Sequence, residues 1–197
     1  MDKFGMLQEL GAGDFQHLNG SLEAHLKGTE KILMSWGSCE LLQIAGLFHA
    51  AYGTAGFDEN MVSLSQRQEI ARIIGRDEEA LVYLYCSCDR DYVFPQFGKV
   101  LEIQFKDRFT GSTFKLDNAI AKLFCELTVA NELELVYGSE EFKLKYGAEL
   151  FELFQSMDSY LSPEAKNATN QPCRLSHNKA FKRDSCRVAF LVCGQFW

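Results

Sequence analysis

The apolar segment from residue 39 to residue 51, CELLQIAGLFHAA, constrains the fold more than any other part of the chain. Its apolar side chains follow one another so closely that a helix formed here would be apolar on almost every face: Leu41, Leu42, Ile44, Ala45, Leu47 and Phe48. Such a helix is stable only when other elements surround it. We therefore predict a buried helix at the centre of a mostly α-helical protein, with His49 at its end.

Helical periodicity recurs along most of the chain. The apolar residues after Ser21 follow helical spacing, and Gly37 is suited to the left-handed position that ends a helix. We place the starts of later helices at Ser65, with Gln68 completing a capping box, and at Asp77. Further helices are predicted over residues 114–136, over residues 139–161 and after Ser162-Pro163.

The region between the predicted helices also contains one β-type pattern. The segment KVLEIQFKDRFTG, between two clusters of turn residues, predicts a short β-hairpin near residues 99–113. The fold class is thus mostly α, with this hairpin as its β-structure.

Composition excludes several classes of protein. A length of 197 residues suits one domain, and a net charge of −7 argues against a nucleic-acid-binding surface. No apolar run is long enough to span a membrane, and MDKFGMLQEL lacks the basic and apolar regions of a signal peptide. The seven irregularly spaced cysteines are typical of reduced thiols. These features predict a cytoplasmic protein with neither a nucleic-acid nor a membrane partner.

The character of the chain changes near its C-terminal end. Residues 166–197 contain six Lys or Arg against one acidic residue and show no helical periodicity before the final apolar stretch. We predict a helical domain over residues 1–165 and a basic, partly disordered tail over residues 166–197.

Three of the four histidines lie in the first fifty residues. His25 shares a helix face with Leu22, Leu26, Thr29 and Leu33. His49 shares a face with Leu42, Ala45 and Gly46. A tight turn at Gly37-Ser38 would make the two helices antiparallel neighbours with both rings pointing inward. His17 precedes the first helix and can reach the same end, so we predict a pocket lined by histidines that can hold a metal ion.

The order of these segments resembles the HD-domain phosphohydrolase superfamily: HLNGSLEAHLKGTEKIL, LLQIAGLFHAAYGT, QEIARIIGRDEEALVYLYC and FKLDNAIAKLFCELTVANELEL. The layout is most similar to the hydrolase domain of bifunctional guanosine tetraphosphate synthetase/hydrolases, over residues 15–137. The chain also resembles an HD-like family marked by H-x-x-G-S/T-L-x-x-H-L-x-G-T and A-G-L-F-H-S/A-x-Y-G-T. The resemblance implies an HD-domain-like helical bundle. It places His25 at the first metal ligand, His49 at the histidine of the His-Asp pair, and Asn131 at the last metal-binding aspartate.

The chain departs from this family at the acidic positions. Ala50 replaces the aspartate of the pair, Gly53-Thr54 stands where the alarmone hydrolases have acidic residues, and His17 stands where they have a basic residue. With no carboxylate among the matched positions, hard oxygen-seeking cations should bind poorly. His17, His25 and His49 would instead make a three-histidine site that suits zinc, with iron or manganese as other candidates. A different helix register would let Glu132 and Glu134 supply the missing acid.

Other residues are candidates for holding a small-molecule ligand. Tyr52 and Thr54 follow His49 closely and can orient a ligand, or can pack at the base of a loop. Arg72, with Arg67 and Arg76 on the same predicted helix, can meet an anionic and phosphorylated substrate, or can form a solvated helix face.

The histidines, the family resemblance and the missing carboxylates leave three candidate functions from different classes. The first is a metal-dependent hydrolase of a phosphoester or nucleotide-like molecule, with no catalytic residue assigned beyond the metal ligands. The second is a catalytically inactive HD-like module that binds a small molecule or a protein. The third is an iron-dependent oxygenase, which usually needs more carboxylates than the matched positions provide.

Overall fold

A computed structural model of the chain describes Gly5, residues 20–55 and residues 61–170. The described part is mostly α-helical with one small sheet, which confirms the predicted fold class. The helices are α1 (Gly20–Ser35), α2 (Glu40–Phe48), α3 (Arg67–Ile74), α4 (Arg76–Ser87), α5 (Arg90–Val93), α6 (Asn118–Gly138), α7 (Glu140–Ser156) and α8 (Pro163–Asn170). The strands are β1 (Gln104–Lys106) and β2 (Thr113–Lys115), and short 3-10 turns cover Leu64–Gln66, Phe94–Gln96 and Asp158–Tyr160.

Helices α1 and α2 form a tightly packed pair, as predicted. Gly37 has φ of 67°, a left-handed conformation that L side chains rarely adopt, and it turns the chain between the two helices. Gly46 of α2 faces α1 so closely that an added Cβ would lie 2.6 Å from the Leu33 side chain. Phe48 and Ala45 are fully buried, as expected for a helix that is apolar on most faces.

Helix α6 is the central element of the fold. It packs against α1, α2, α4, α7 and α8, so most of its faces are covered. Asp117 caps its start by accepting hydrogen bonds from the backbone N–H groups of Ala119 and Ile120. Because other elements surround this helix, its polar side chains Asn131 and Glu132 are buried together with the apolar ones.

The β-hairpin lies later in the sequence than predicted. The strands pair antiparallel with Phe105 opposite Phe114, whose ring centroids are 5.1 Å apart. The side-chain amide of Gln96 accepts a hydrogen bond from the backbone N–H of Gln104 and donates one to its carbonyl. These bonds hold the preceding residues in a loop, so the apolar Val100 and Leu101 stay exposed instead of entering a strand.

The capping box before the third predicted helix was placed two residues too late in the sequence, whereas the α-helix itself begins at Arg67, two residues after the predicted start. The capping box joins Ser63 and Gln66, because the Ser63 hydroxyl accepts from the backbone N–H of Ser65 while the side-chain Oε1 of Gln66 accepts from the backbone N–H of Ser63. A 3-10 turn therefore precedes α3. The next predicted cap was also wrong, since Asp77 lies inside the first turn of α4, and Gly75, with φ of 116°, precedes that helix.

The C-terminal end of the described chain is helical across the predicted domain boundary. Helix α8 begins at Pro163 and continues to Asn170, with Ala165 and Thr169 buried. The rest of the predicted tail lies outside the described residues. No helix in the described ranges combines the length and the apolarity that crossing a membrane requires.

Candidate functional site: the histidine cluster

The structure brings together residues from α1, the end of α2 and the middle of α6. His25, His49, Asn131, Glu132 and Glu134 form what we call the histidine cluster. The rings of His25 and His49 meet edge to face with centroids 5.2 Å apart. Both rings are buried, with 7% and 2% of their surface exposed, which agrees with the inward orientation predicted from helical spacing.

Both ring nitrogens of His25 contact oxygen atoms of α6. Its Nε2 lies 2.9 Å from Oδ1 of Asn131, and its Nδ1 contacts the carboxylate of Glu134. Asn131 and Glu134 are three residues apart and so project from the same side of the helix. A carboxylate on one nitrogen of an imidazole fixes the orientation of the ring and determines which nitrogen faces the other partner. Glu134 therefore orients His25 toward Asn131.

His49 is held in one tautomer by the backbone. Its Nδ1–H donates to the carbonyl oxygen of Gly46 across 2.7 Å, which leaves Nε2 with the lone pair. The nearby Asn131 side chain favours the charged form of this ring and so opposes the effect of burial on its pKa. Burial, followed by the nearby charge of His25, lowers the pKa of His49 to about 3. The ring is consequently neutral at physiological pH, as a metal-ligating imidazole must be.

A buried ion pair borders the cluster. Glu132 is 1% exposed and Arg90 is 4% exposed, and their charged groups are 3.7 Å apart. Oε1 of Glu132 also accepts a hydrogen bond from the Asn131 amide, whereas Oε2 has no hydrogen-bond partner among the described residues. Burial raises the pKa of Glu132, and the positive charge of Arg90 opposes this effect. The cluster thus contains a buried carboxylate oxygen that is available to a further group.

Gly28 makes the contact between α1 and Glu134 possible. A Cβ at this position would lie 2.7 Å from both Cγ and Oε1 of Glu134, closer than real Cβ contacts. Gly28 is one turn after His25, so the missing side chain leaves space for the Glu134 side chain to reach the imidazole.

The structure corrects the expected charge of the site. The matched family positions predicted a site without a carboxylate, but Glu132 and Glu134 both lie within the cluster. Asn131 contacts His25, and His17 lies outside the described residues. Arg90 was not predicted as a site residue, since it stands between two aspartates in a segment that is typical of a loop. The sequence feature that could have pointed to Arg90 was Asp89, which caps the short helix α5 and so places Arg90 in its first turn.

Two of the predicted ligand-binding residues, Tyr52 and Arg72, lie near Glu79: Tyr52 bonds to it, and Arg72 lines the same groove. Tyr52 is buried, and its hydroxyl donates to Oε1 of Glu79 across 2.8 Å. Arg67 donates to both oxygens of Glu79, at 2.7 and 3.0 Å. Thr54 is buried at 2% exposure, so its side chain is part of the packed interior. Arg72 is exposed and lines a groove that it shares with Arg67 and Glu79.

Within the described residues, no group of three or more His, Cys, Asp or Glu side chains has the arrangement of a complete metal site. The candidate donors that lie near one another are the imidazoles of His25 and His49 and the amide oxygen of Asn131, whose amide nitrogen donates to Glu132. Two ligands about 2.1 Å from a tetrahedral zinc ion are about 3.4 Å apart. His25 Nε2 and Asn131 Oδ1 are 2.9 Å apart in a hydrogen bond, so they would have to separate slightly to share such an ion.

Comparison with known proteins adds one result. Residues 6–90 match the family model described as Domain of unknown function (DUF6817). The matched region contains His25 and His49 and ends before Asn131. No significant match was found to a curated protein or to a solved structure. The relation to HD-domain phosphohydrolases therefore stays a prediction from the sequence.

Proposed function

We propose that this protein is a metal-dependent hydrolase of a phosphorylated small molecule, such as a phosphoester or a nucleotide-like compound. The observation that supports this proposal best is the orientation of the two imidazoles. Each Nδ1 is engaged with an oxygen acceptor, Glu134 for His25 and the Gly46 carbonyl for His49. Nε2 of His25 consequently faces Asn131, and Nε2 of His49 keeps its lone pair in the ring that packs against His25. Metal-binding histidines are commonly held in this way by partners on their second nitrogen.

The residues of the cluster fit a divalent cation. Two imidazole nitrogens suit zinc, iron and manganese, and a metal would displace the proton that His25 Nε2 donates to Asn131. The amide oxygen of Asn131 would add a third donor. Oε2 of Glu132 is a buried oxygen without a hydrogen-bond partner among the described residues, an arrangement that is energetically costly unless another group compensates it. A cation beside it would do so, and His17 is a further candidate ligand.

A divalent ion held there would supply a Lewis acid and would activate water for attack on a phosphoryl group near neutral pH. The protein side chains perform the positioning. Glu134 holds the His25 ring, and the Gly46 carbonyl keeps the His49 tautomer whose Nε2 is unprotonated. Burial of the cluster excludes bulk water, which strengthens the electrostatic interactions inside it.

Metal content per chain, measured by inductively coupled plasma mass spectrometry, tests this proposal directly. The wild type, purified without an affinity-tag metal, is compared with a His25→Ala, His49→Ala double variant and with His177→Ala, which removes the one histidine that the sequence does not assign to the site. We expect near-stoichiometric metal in the wild type and in His177→Ala, and none in the double variant. Circular dichroism establishes that each variant is folded. The metal-loaded wild type should then hydrolyse at least one member of a panel of nucleotides and phosphoesters, with the double variant inactive.

A second candidate function has its own support in the geometry. The hydrogen bond from His25 Nε2 to Asn131 Oδ1 lets the cluster satisfy itself without an ion. A binding module that lacks metal chemistry would keep this bond. Wild type without metal, and without a thermal shift on addition of zinc, iron or manganese, would favour this module over the hydrolase. Stoichiometric iron together with oxygen consumption would instead favour the iron-dependent oxygenase.

A further inference from the structure

The groove between the 3-10 turn at Leu64–Gln66 and the start of α4 is separate in sequence from the histidine cluster. Its lining residues all lie between positions 64 and 79: Leu64, Ser65, Arg67, Gln68, Ala71, Arg72, Arg76 and Glu79. The groove has a volume of about 740 Å³, which is within the range that small-molecule sites occupy.

One wall of the groove is rigid because Arg67 is held from two sides. It donates to both oxygens of Glu79, and its guanidinium carbon lies 3.5 Å from the centroid of the Tyr83 ring. Tyr83 is in turn fixed by a hydrogen bond from its hydroxyl to Asp107, across 2.7 Å. Glu79 is 5% exposed and also accepts from Tyr52. Arg67 and Glu79 therefore neutralise each other and form a structural wall.

The remaining two arginines carry uncompensated charge. Arg72 and Arg76 are exposed, and neither has an ion-pair partner among the described residues. The groove therefore has a net positive charge of two, although the whole chain has a net charge of −7. Guanidinium groups bind phosphate oxygens through paired hydrogen bonds, and two of them match a ligand with two or more negative charges.

The backbone at the start of α4 is not the source of this positive charge. The Glu78 carboxylate folds back over Gly75, which has no side chain to prevent it. A carboxylate at this position compensates the positive end of the helix dipole. The side chains of Arg72 and Arg76 are thus the anion-binding groups, while Ser65 and Gln68 offer neutral hydrogen-bonding groups in the same groove.

We propose that this groove binds a phosphorylated small molecule with at least two negative charges, through Arg72 and Arg76. This inference does not depend on a metal at the histidine cluster. It would apply equally to a hydrolase and to a binding module.

Isothermal titration calorimetry with inorganic pyrophosphate, at physiological ionic strength and in a chelator-containing buffer, tests the groove without any metal. The test variant is Arg72→Gln, Arg76→Gln. The matched control is Lys31→Gln, Lys122→Gln, which removes two exposed positive charges outside the groove lining. We expect saturable binding to the wild type and to the control. The test variant should bind at least about tenfold more weakly, since charge-assisted hydrogen bonds are lost.

Two results would overturn the proposal. One is the absence of saturable binding of pyrophosphate to the folded wild type. The other is an equal loss of affinity in the test and control variants, which would mean that only the overall charge matters. Arg72 and Arg76 are exposed, so their replacement should leave the far-ultraviolet circular dichroism and Tm unchanged, and loss of binding would then report on the groove itself. Failure of the metal experiment together with success here would refute the hydrolase and leave this site intact.

Discussion

The Nε2 atom of His25 on α1 lies 2.9 Å from Oδ1 of Asn131 on α6, although 106 positions separate the two residues along the chain. This contact joins the N-terminal helix pair to the central helix. It also brings two carboxylates, Glu132 and Glu134, to the histidines. Four predictions follow from the packing around it and around the groove.

Stability should fall at acidic pH because of His49. Its pKa is about 3 in the folded protein, against about 6.5 in an unfolded chain, so below pH 6.5 the unfolded state binds more protons. The free energy of unfolding then decreases as pH falls from 6.5 toward 3. Between pH 7 and pH 5 we expect a contribution of about 2 kcal/mol. Urea denaturation at both pH values measures it, and His49→Asn should lack this part of the pH dependence. Equal dependence in the two proteins would contradict the burial of a neutral ring.

Gly28→Ala should destabilise the protein, although alanine normally favours a helix over glycine by up to about 1 kcal/mol. The new methyl group would displace Glu134 and so break its contact with His25. We expect a loss of about 1–2 kcal/mol in the free energy of unfolding. The matched control is Gly138→Ala, where an added Cβ meets no atom within 4 Å.

A double-mutant cycle separates this clash from other effects of Gly28. In a Glu134→Ala background the obstructing side chain is absent, so Gly28→Ala should become neutral or stabilising. The same destabilisation in both backgrounds would show that Glu134 is not the residue that requires glycine.

Asn131→Asp should destabilise the metal-free protein. The substitution replaces an amide that donates to Glu132 across 3.1 Å with a second buried carboxylate. Like charges at this distance in the interior should cost about 2 kcal/mol or more. Millimolar Mn²⁺ should restore stability if the cluster accepts a cation, which thermal denaturation with and without the metal measures. In a Glu132→Gln background the destabilisation should largely disappear, and its persistence there would refute the proposed repulsion.

Glu79→Gln should lower the free energy of unfolding, because Glu79 holds Arg67 in the wall of the groove. The carboxylate accepts hydrogen bonds from Arg67 and Tyr52 and is almost fully buried. Replacing it with an amide leaves the Arg67 charge without its partner, so we expect a loss of about 2 kcal/mol in the free energy of unfolding. Glu69→Gln, at an exposed position of α3, should change stability by less than about 0.5 kcal/mol. Comparable effects at both positions would mean that the ion pair with Arg67 contributes little.

The sequence alone predicted a structural feature correctly where one short segment contains all the residues that determine it. The apolar run before His49 predicts a buried helix, and Gly37 predicts the turn that pairs it with α1, so the meeting of His25 and His49 followed from the sequence. The sequence did not distinguish between two possible capping boxes, because Ser63 and Ser65 each have a glutamine three residues later. The two patterns are locally equivalent, and the capping box forms at Ser63, directly after the buried Met61 and Val62.

The sequence by itself determined the mostly helical class, the inward direction of His25 and His49, and an arginine-rich helix after the capping box. Only the tertiary structure decided the charge of the cluster, because Glu132 and Glu134 reach the histidines from α6, more than eighty residues beyond His49. The tertiary structure also decided that Arg67 pairs with Glu79 in the wall of the groove, whereas Arg72 and Arg76 line the groove without an ion-pair partner among the described residues. Helical periodicity reports which face of one helix is apolar, but the partner of a polar side chain depends on which helices pack together. That choice follows from the burial of the whole core.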